Sequence, residues 1–155
     1  MQDLKTILDK EGQKGVPLYR ESLVENDRVA TGKTRDSIGY RVTTNELIFF
    51  GREDITWLED GASAQDIQSK GNFFEQLNEW VQARGLGDSA VTGLIMGSLQ
   101  ANGWNTDLPN RTNPNGGTKG ILTNPSKIII EDTKKALLDS SLSLVRASFN
   151  TFKDK

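Results

Sequence analysis

Apolar positions along the first third of the chain follow a helical period and then switch to a strand period near residue 38. Leu4, Ile7 and Leu8 recur at i, i+3 and i+4, and Leu18, Tyr19 and Leu23 resume apolar spacing after "GQKGVP", which predicts helix, break, helix. Gly12, Gly15 and Pro17 account for the break, since glycine loosens a helix and proline in a first turn starts one. Thr31 is placed to cap a short helical turn over residues 33–38. "GYRVTTNELIFFG" then sets Tyr40 and Val42 on one face, turns through "TTNE", and runs through Leu47, Ile48, Phe49 and Phe50 to Gly51, the pattern of a β-hairpin. "ITWLEDGAS" reads as a third strand or an extended connection that bends at Gly61. The polar stretch "AQDIQSKGN" leads out of the sheet.

Beyond residue 72 the helical period returns. "FFEQLNEWVQARGL" puts Phe73, Phe74, Leu77, Trp80 and Val81 on one stripe, with Gly85 as its stop. "GDSAVTGLIMGSLQANGW" repeats the form, with Asp88 or Ser89 as cap, Val91, Leu94, Ile95 and Leu99 as the stripe, and Gly103 as the stop. Gly93 and Gly97, one helical turn apart, admit close approach of another backbone, and in a helix facing water that spacing reads as tight core packing. "NTDLPNRTNPNGGTKG" offers almost nothing to bury, and a loop of that length is functional or ordered only on binding. In the last segment Asn124 reads as a cap and Pro125 as the first helical residue. Leu138, Leu142, Val145, Phe149 and Phe152 follow at spacings of 4, 3, 4 and 3, a stripe suited to a core or to a neighbouring subunit. The expected fold is α+β in a single domain, residues 1–155. It has a helical N-terminus over 1–30, a β-hairpin and third strand over 36–63, a helix pair over 73–103, a long loop over 104–122 and a C-terminal helix over 124–153.

Composition narrows the chemistry. The 155 residues contain no Cys and no His, which removes thiol nucleophiles, Cys/His metal sites and any histidine base. No apolar run approaches the roughly 20 residues that span a bilayer, and "MQDLKTILDKEG" does not resemble a signal peptide, so the expected setting is the cytoplasm or something assembled there. Net charge is -2, spread unevenly: residues 46–88 hold 3 basic and 9 acidic side chains, residues 105–155 hold 8 and 5. Such asymmetry suits head-to-tail packing of subunits or a lumen of one sign, and it also arises by chance.

"RVATGKTRDSI" ends like a phosphate-binding loop, yet that loop needs glycine five residues before Gly32 and a buried strand upstream. Asp27 stands at the glycine position, and an acid there repels a triphosphate, so nucleotide binding is rejected. The pairs Glu53/Asp54 and Glu59/Asp60 could serve as acid and base, or hold a hard cation; adjacent strand residues point to opposite faces, which favours solvated strand ends. Asn110-Arg111-Thr112 matches a glycosylation sequon that has no meaning without secretion. Neither a cofactor nor a metal is expected.

"ATGKTRDSI", the hairpin "GYRVTTNELIFFG" and "ITWLEDGAS", in that order, resemble the small head-to-tail joining proteins of tailed bacteriophages, the neck or tail-completion family of lambda-like siphophages. Thr31, Gly32, Ser37 and Ile38 match a pattern of the form tG-x-L-x-x-SI, and Trp57, Glu59, Gly61 and Ser63 loosely match an aromatic-x-E-x-G-t segment. Thr34 stands where leucine is usual, and "EDGAS" replaces E-x-G-T. The later helices, loop and closing helix also fit longer members, so the resemblance spans nearly the whole chain. It implies a non-enzymatic virion protein, assembled in the host cytoplasm, forming a hexameric ring between the portal-adjacent connector protein and a tail terminator or tail tube protein. Genomic DNA passes through that ring. A different ring of the connector, a head-completion stopper or the tail terminator, is the alternative within the family.

Contacts between subunits or to partners are then expected from Thr31, Gly32, Arg35, Trp57, Glu59, Asn110, Arg111, Asn115, Lys119, Phe149 and Phe152. The acidic 46–88 segment would face the lumen or an adjacent ring, because DNA that slides should not meet a basic groove. Two rivals lie outside the family. A nucleic-acid module would draw on Lys33, Arg35, Arg41, Lys127, Lys134, Lys135 and Arg146, against a pI near 5.2 and no aromatic-basic platform. A hydrolase would work through Glu53, Asp54, Glu59 and Asp60, without a recognisable catalytic constellation.

Overall fold

Gly12 and Gly15 do not interrupt the first helix; they are the places where the hairpin lies against it. Helix α1 runs unbroken over Leu4–Glu25. A Cβ built on Gly12 would fall 2.2 Å from Tyr40 Cδ2, and one on Gly15 would fall 2.4 Å from Phe49 Cζ. Tyr40 and Phe49 are direct partners across the hairpin, so one cross-strand aromatic pair fills a notch that only glycine leaves open. Pro17 and Gln13 both lie on the exposed side of α1, where a carbonyl that loses its helical donor to a proline can be solvated.

The computed structural model describes residues 3–26, 31–52, 55–104 and 120–153, with side chains as far as Ser143. It is α+β, as the periodicities predict. The short helix α2 (Lys33–Asp36) leads into strands β1 (Gly39–Val42) and β2 (Leu47–Phe50), an antiparallel pair. The predicted third strand is not there. Residues Trp57–Asp60 form a single helical turn, α3, and only Ala62 pairs as a strand would, in a lone bridge to Trp104. "AQDIQS" is also helical: α4 (Ala64–Ser69) starts from a capping box in which Ser63 and Asp66 bind each other's backbone amides. Helices α5 (Phe73–Ala83) and α6 (Ser89–Asn102) form the predicted pair, and α7 covers Thr123–Lys153.

Two apolar cores result. In the first, Tyr19 and Leu23 of α1 meet Ile38, Ile121 and Ile129 of α7 under the hairpin, with Tyr19 and Phe49 ring centroids 4.9 Å apart. The Tyr19 hydroxyl and Ser126 Oγ lie 2.7 Å apart, and Lys14 reaches Asp132 at 3.8 Å, so α1 and α7 run antiparallel. In the second, Ala62, Ile67, Phe73, Leu77 and Val81 pack with Trp57, Val91, Ile95, Met96, Leu99 and Trp104. Each fully buried apolar side chain contributes about 1.5–3 kcal/mol relative to exposure. α3 joins the cores: Leu58 packs on the first and Trp57 on the second.

Two predicted stripes shift, and the α7 stripe, open between core and neighbour, turns its first two members to solvent. In α5, Phe73, Leu77 and Val81 are buried, whereas Phe74 and Trp80 flank them and are exposed. In α6, Thr92 replaces Leu94 at the centre of the buried face, its hydroxyl donating to Asn78 Oδ1 at 2.8 Å, and Leu94 is 77% exposed. A Cβ on Gly93 or Gly97 would meet nothing, so these glycines are not core contacts. In α7, Ile129 lies against α1 while Leu138 and Leu142 are 63% and 52% exposed. Leu138 stands nine residues on from Ile129, half a turn round the helix.

Candidate functional site

The residues that carry the sequence signature turn out to hold the fold together at the junction of the two cores. Gly32 occupies the N-cap position of α2 with φ +79°, and Thr31 Oγ1 accepts from Lys33 N at 3.3 Å, capping the turn from one residue further out. Ser37 Oγ donates to the Thr34 carbonyl at 2.7 Å and accepts from Arg52 N at 3.0 Å, which ties α2 to the exit of the hairpin. Ile38 enters the first core. Arg20 of α1 donates to the Ile38 carbonyl at 3.0 Å. Lys33, the would-be phosphate lysine, pairs with Glu79 of α5 at 2.6 Å.

Glu59 is the centre of this junction. It is buried, at 8% exposure, which corrects the expectation of a solvated strand end. Gly120 N donates to its Oε1 and Thr123 N to its Oε2, each at 3.2 Å. Leu122 N and the Thr123 hydroxyl donate to the same carboxylate. These amides open α7, where the first N–H groups of a helix have no partner within it. A carboxylate from 63 residues earlier therefore does the work of a local N-cap, and its charge is favoured by the positive end of the helix dipole. Burial pushes the Glu59 pKa up, but the hydrogen bonds from Thr123, Leu122 and Gly120 outweigh it and hold the carboxyl below its ordinary value. The helix accordingly begins at Thr123, one residue before the predicted Asn124 cap.

Two residues past Glu59, Gly61 bends the chain at φ +81°, and Ala62 exchanges hydrogen bonds with Trp104 at 3.0 and 2.7 Å. Gly103 permits this pairing: a Cβ there would lie 2.6 Å from the Ala62 carbonyl oxygen. The segment 59–62 thus holds the chain on both sides of the long loop, at Trp104 and at Gly120–Thr123.

This geometry moves several expected contact residues inward. Trp57 packs edge-on against Phe73, centroids 5.7 Å apart, with Lys70 Nζ 4.6 Å above its ring. Within the subunit Trp57 is partly buried, and Glu59 and Gly32 are buried, so these three residues have packing or hydrogen-bonding roles inside the chain. Thr31 is exposed, and Arg35 is partly exposed and bound to Asp36 at 2.7 Å. Asn110, Arg111, Asn115 and Lys119 lie outside the described residues, as do Glu53 and Asp54 and the side chains of Phe149 and Phe152. Among the described residues, no group of three or more His, Cys, Asp or Glu side chains converges, and no helix is long and apolar enough to cross a membrane.

The surface that sequence reasoning missed is the outer side of α6. Ala90, Gly93, Leu94, Gly97 and Ala101 share it, all exposed, and the helix has no charged residue from Ser89 to Asn102. That absence of charge on a helix with one buried face was the available signal. No family model, curated protein or solved structure matches the chain.

Proposed function

We propose that the chain is a structural subunit of a bacteriophage head-to-tail connector, a neck or tail-completion ring that joins the portal-side connector to the tail and leaves a channel for DNA. The observation that carries this reading is a pair of apolar helix faces, outer α6 and the Leu138/Leu142 side of α7, that the described residues leave uncovered. Surfaces of that kind belong to a protein completed by assembly. The signature residues of the resemblance support it: Gly32, Ser37, Ile38, Glu59 and Gly61 each have a structural task at one junction, which accounts for their order along the chain. On this reading the ring contacts lie on α6 and α7, with the 104–120 loop as a further candidate, and the acidic 46–88 segment faces the channel or an adjacent ring.

The test is the mass of the purified protein by light scattering, alone and mixed with portal-complex or tail-tube proteins. A ring, or a monomer that assembles only on such a partner, is expected. A lasting monomer that ignores both and binds duplex DNA refutes the proposal in favour of a nucleic-acid module. Which ring of the connector it forms, completion ring, stopper or terminator, follows from whether it binds the portal side, the tail side or both.

A further inference from the structure

We infer that two copies of the chain join through the outer edge of β2, antiparallel and centred on Phe49, so that their hairpins make one continuous sheet. The contact uses neither α6 nor α7, and it stands or falls independently of the connector reading. Among the described residues, β2 has a ladder partner on one side, β1. Thr43 N donates to the Glu46 carbonyl at 2.9 Å, and Arg52 N donates to Ser37 Oγ at 3.0 Å. Both bonds keep the register of the hairpin, in which Gly39 faces Phe50 and Arg41 faces Ile48. Hydrogen bonding alternates along an antiparallel pair, so Glu46, Ile48, Phe50 and Arg52 turn their backbone groups towards β1. Leu47, Phe49 and Gly51 turn theirs outward.

The β1 edge is guarded. Ile38 has the outward register there, and its carbonyl accepts from Arg20 at 3.0 Å. Arg41 also stands on β1, exposed, and charge on an edge strand discourages pairing. β2 carries neither charge nor proline from Leu47 to Gly51, the composition of an edge that accepts another strand.

The side chains of the strand itself choose the partner. Leu47 and Phe49 pack on the first core, which leaves Glu46, Ile48, Phe50 and Arg52 as the row on the opposite face. Phe50 is 53% exposed there. Turned end for end, this row is its own complement: Glu46 meets Arg52 of the second copy, Ile48 meets its Phe50, and both pairs recur in reverse. Opposite charges and apolar side chains set across from each other favour this register, and a slip of two residues either way separates both charge pairs. Phe49 then faces Phe49 and Leu47 faces Gly51, with about six new backbone hydrogen bonds. A self-complementary contact of this kind closes at two copies.

The native chain has no cysteine, so single-cysteine variants report the register. Glu46→Cys and Arg52→Cys are the pair to mix, and unchanged melting temperatures confirm that each folds. Opposed residues that do not bond to each other stand about 4.5 Å apart at Cα, within the span of a disulfide. Each position lies about 20 Å from its own counterpart in the second copy, so neither variant should link to itself. Under mild oxidation at about 1 mM protein, where even a millimolar contact is half occupied, the mixture should give a mixed dimer as the main product. Adding Phe50→Lys to both variants should lower its yield at least about fivefold. Self-dimers in equal yield, no dimer, or a yield that Phe50→Lys leaves unchanged would each overturn the inference. A mixed dimer from a chain that ignores portal and tail proteins upholds this contact while the connector reading fails.

Discussion

Replacing Glu59 by glutamine keeps the shape of the side chain and removes its charge, so the variant measures what the carboxylate does at the start of α7. In the native protein Oε1 accepts from Gly120 N and the Thr123 hydroxyl, and Oε2 accepts from Leu122 N and Thr123 N. A glutamine carbonyl can serve one of these pairs. Its NH2 then faces the other two donors. A buried donor left without an acceptor costs about 1–3 kcal/mol, so the loss from two is about 2–6 kcal/mol. For a chain of this size that corresponds to roughly 4–24 °C in Tm. Urea unfolding followed by tryptophan fluorescence gives the stability directly, and amide exchange at Leu122 and Thr123 should accelerate in the variant. Asp60→Asn, next door and exposed, is the control and should change stability by no more than about 0.5 kcal/mol. An equally small effect for Glu59→Gln, with exchange at Leu122 and Thr123 unchanged, would refute the assignment of Glu59 as the remote cap of α7.

The same group sets a pH dependence: its folded pKa lies below the ordinary 4.5, so its stabilisation is complete above about pH 5.5 and declines as pH falls through 4.5 towards the folded value. Acid titration of stability should lose that part of its slope in Glu59→Gln. Gly12→Ala and Gly15→Ala should each destabilise by about 1–3 kcal/mol in urea melts, because the added methyl strikes Tyr40 or Phe49. Gly93→Ala and Gly97→Ala, which meet open space, should instead stabilise the isolated subunit by about 0.5–1 kcal/mol; the reverse order would mean that the two glycine pairs have been assigned the wrong roles. Lys33→Ala removes an exposed ion pair with Glu79 and should cost less than about 1 kcal/mol, with no change in affinity for nucleotide by calorimetry.

How much of this was legible in the sequence depends on whether a signal was local. The hairpin, the α5 stop at Gly85 and the α6 cap, open between Asp88 and Ser89, rest on neighbouring residues; the structure places the first two as predicted and puts the cap at Asp88. Gly12 and Gly15 were misread because their reason is a ring from residue 40 or 49, and propensity has no knowledge of it. Glu59 was misread for the same cause: its partners lie more than 60 residues on, and a strand pattern assigned it to solvent. The outward face of α6 was misjudged by a different route. Leu94 has the spacing of a core, and spacing reports that a helix has an apolar side without saying what covers it, which is why the α7 stripe through Leu138 and Leu142 was open between a core and a neighbouring subunit. Thr92 went unnoticed because its burial depends on Asn78, again a partner outside its own helix.

The hold that residues 59–62 exert on Trp104 and on Gly120–Thr123 has a consequence for how such a chain can diversify. Both ends of the 105–119 segment are fastened to positions three residues apart, so the distance its ends must span is fixed by residues 59–62. Lengthening a segment anchored in this way adds only a slowly growing closure entropy, about 0.6 kcal/mol for each doubling. Variation at Gly12, Gly15, Gly103 and Glu59 is therefore constrained by contacts with distant parts of the chain, whereas the length of the segment between the two anchors is constrained only weakly by closure entropy.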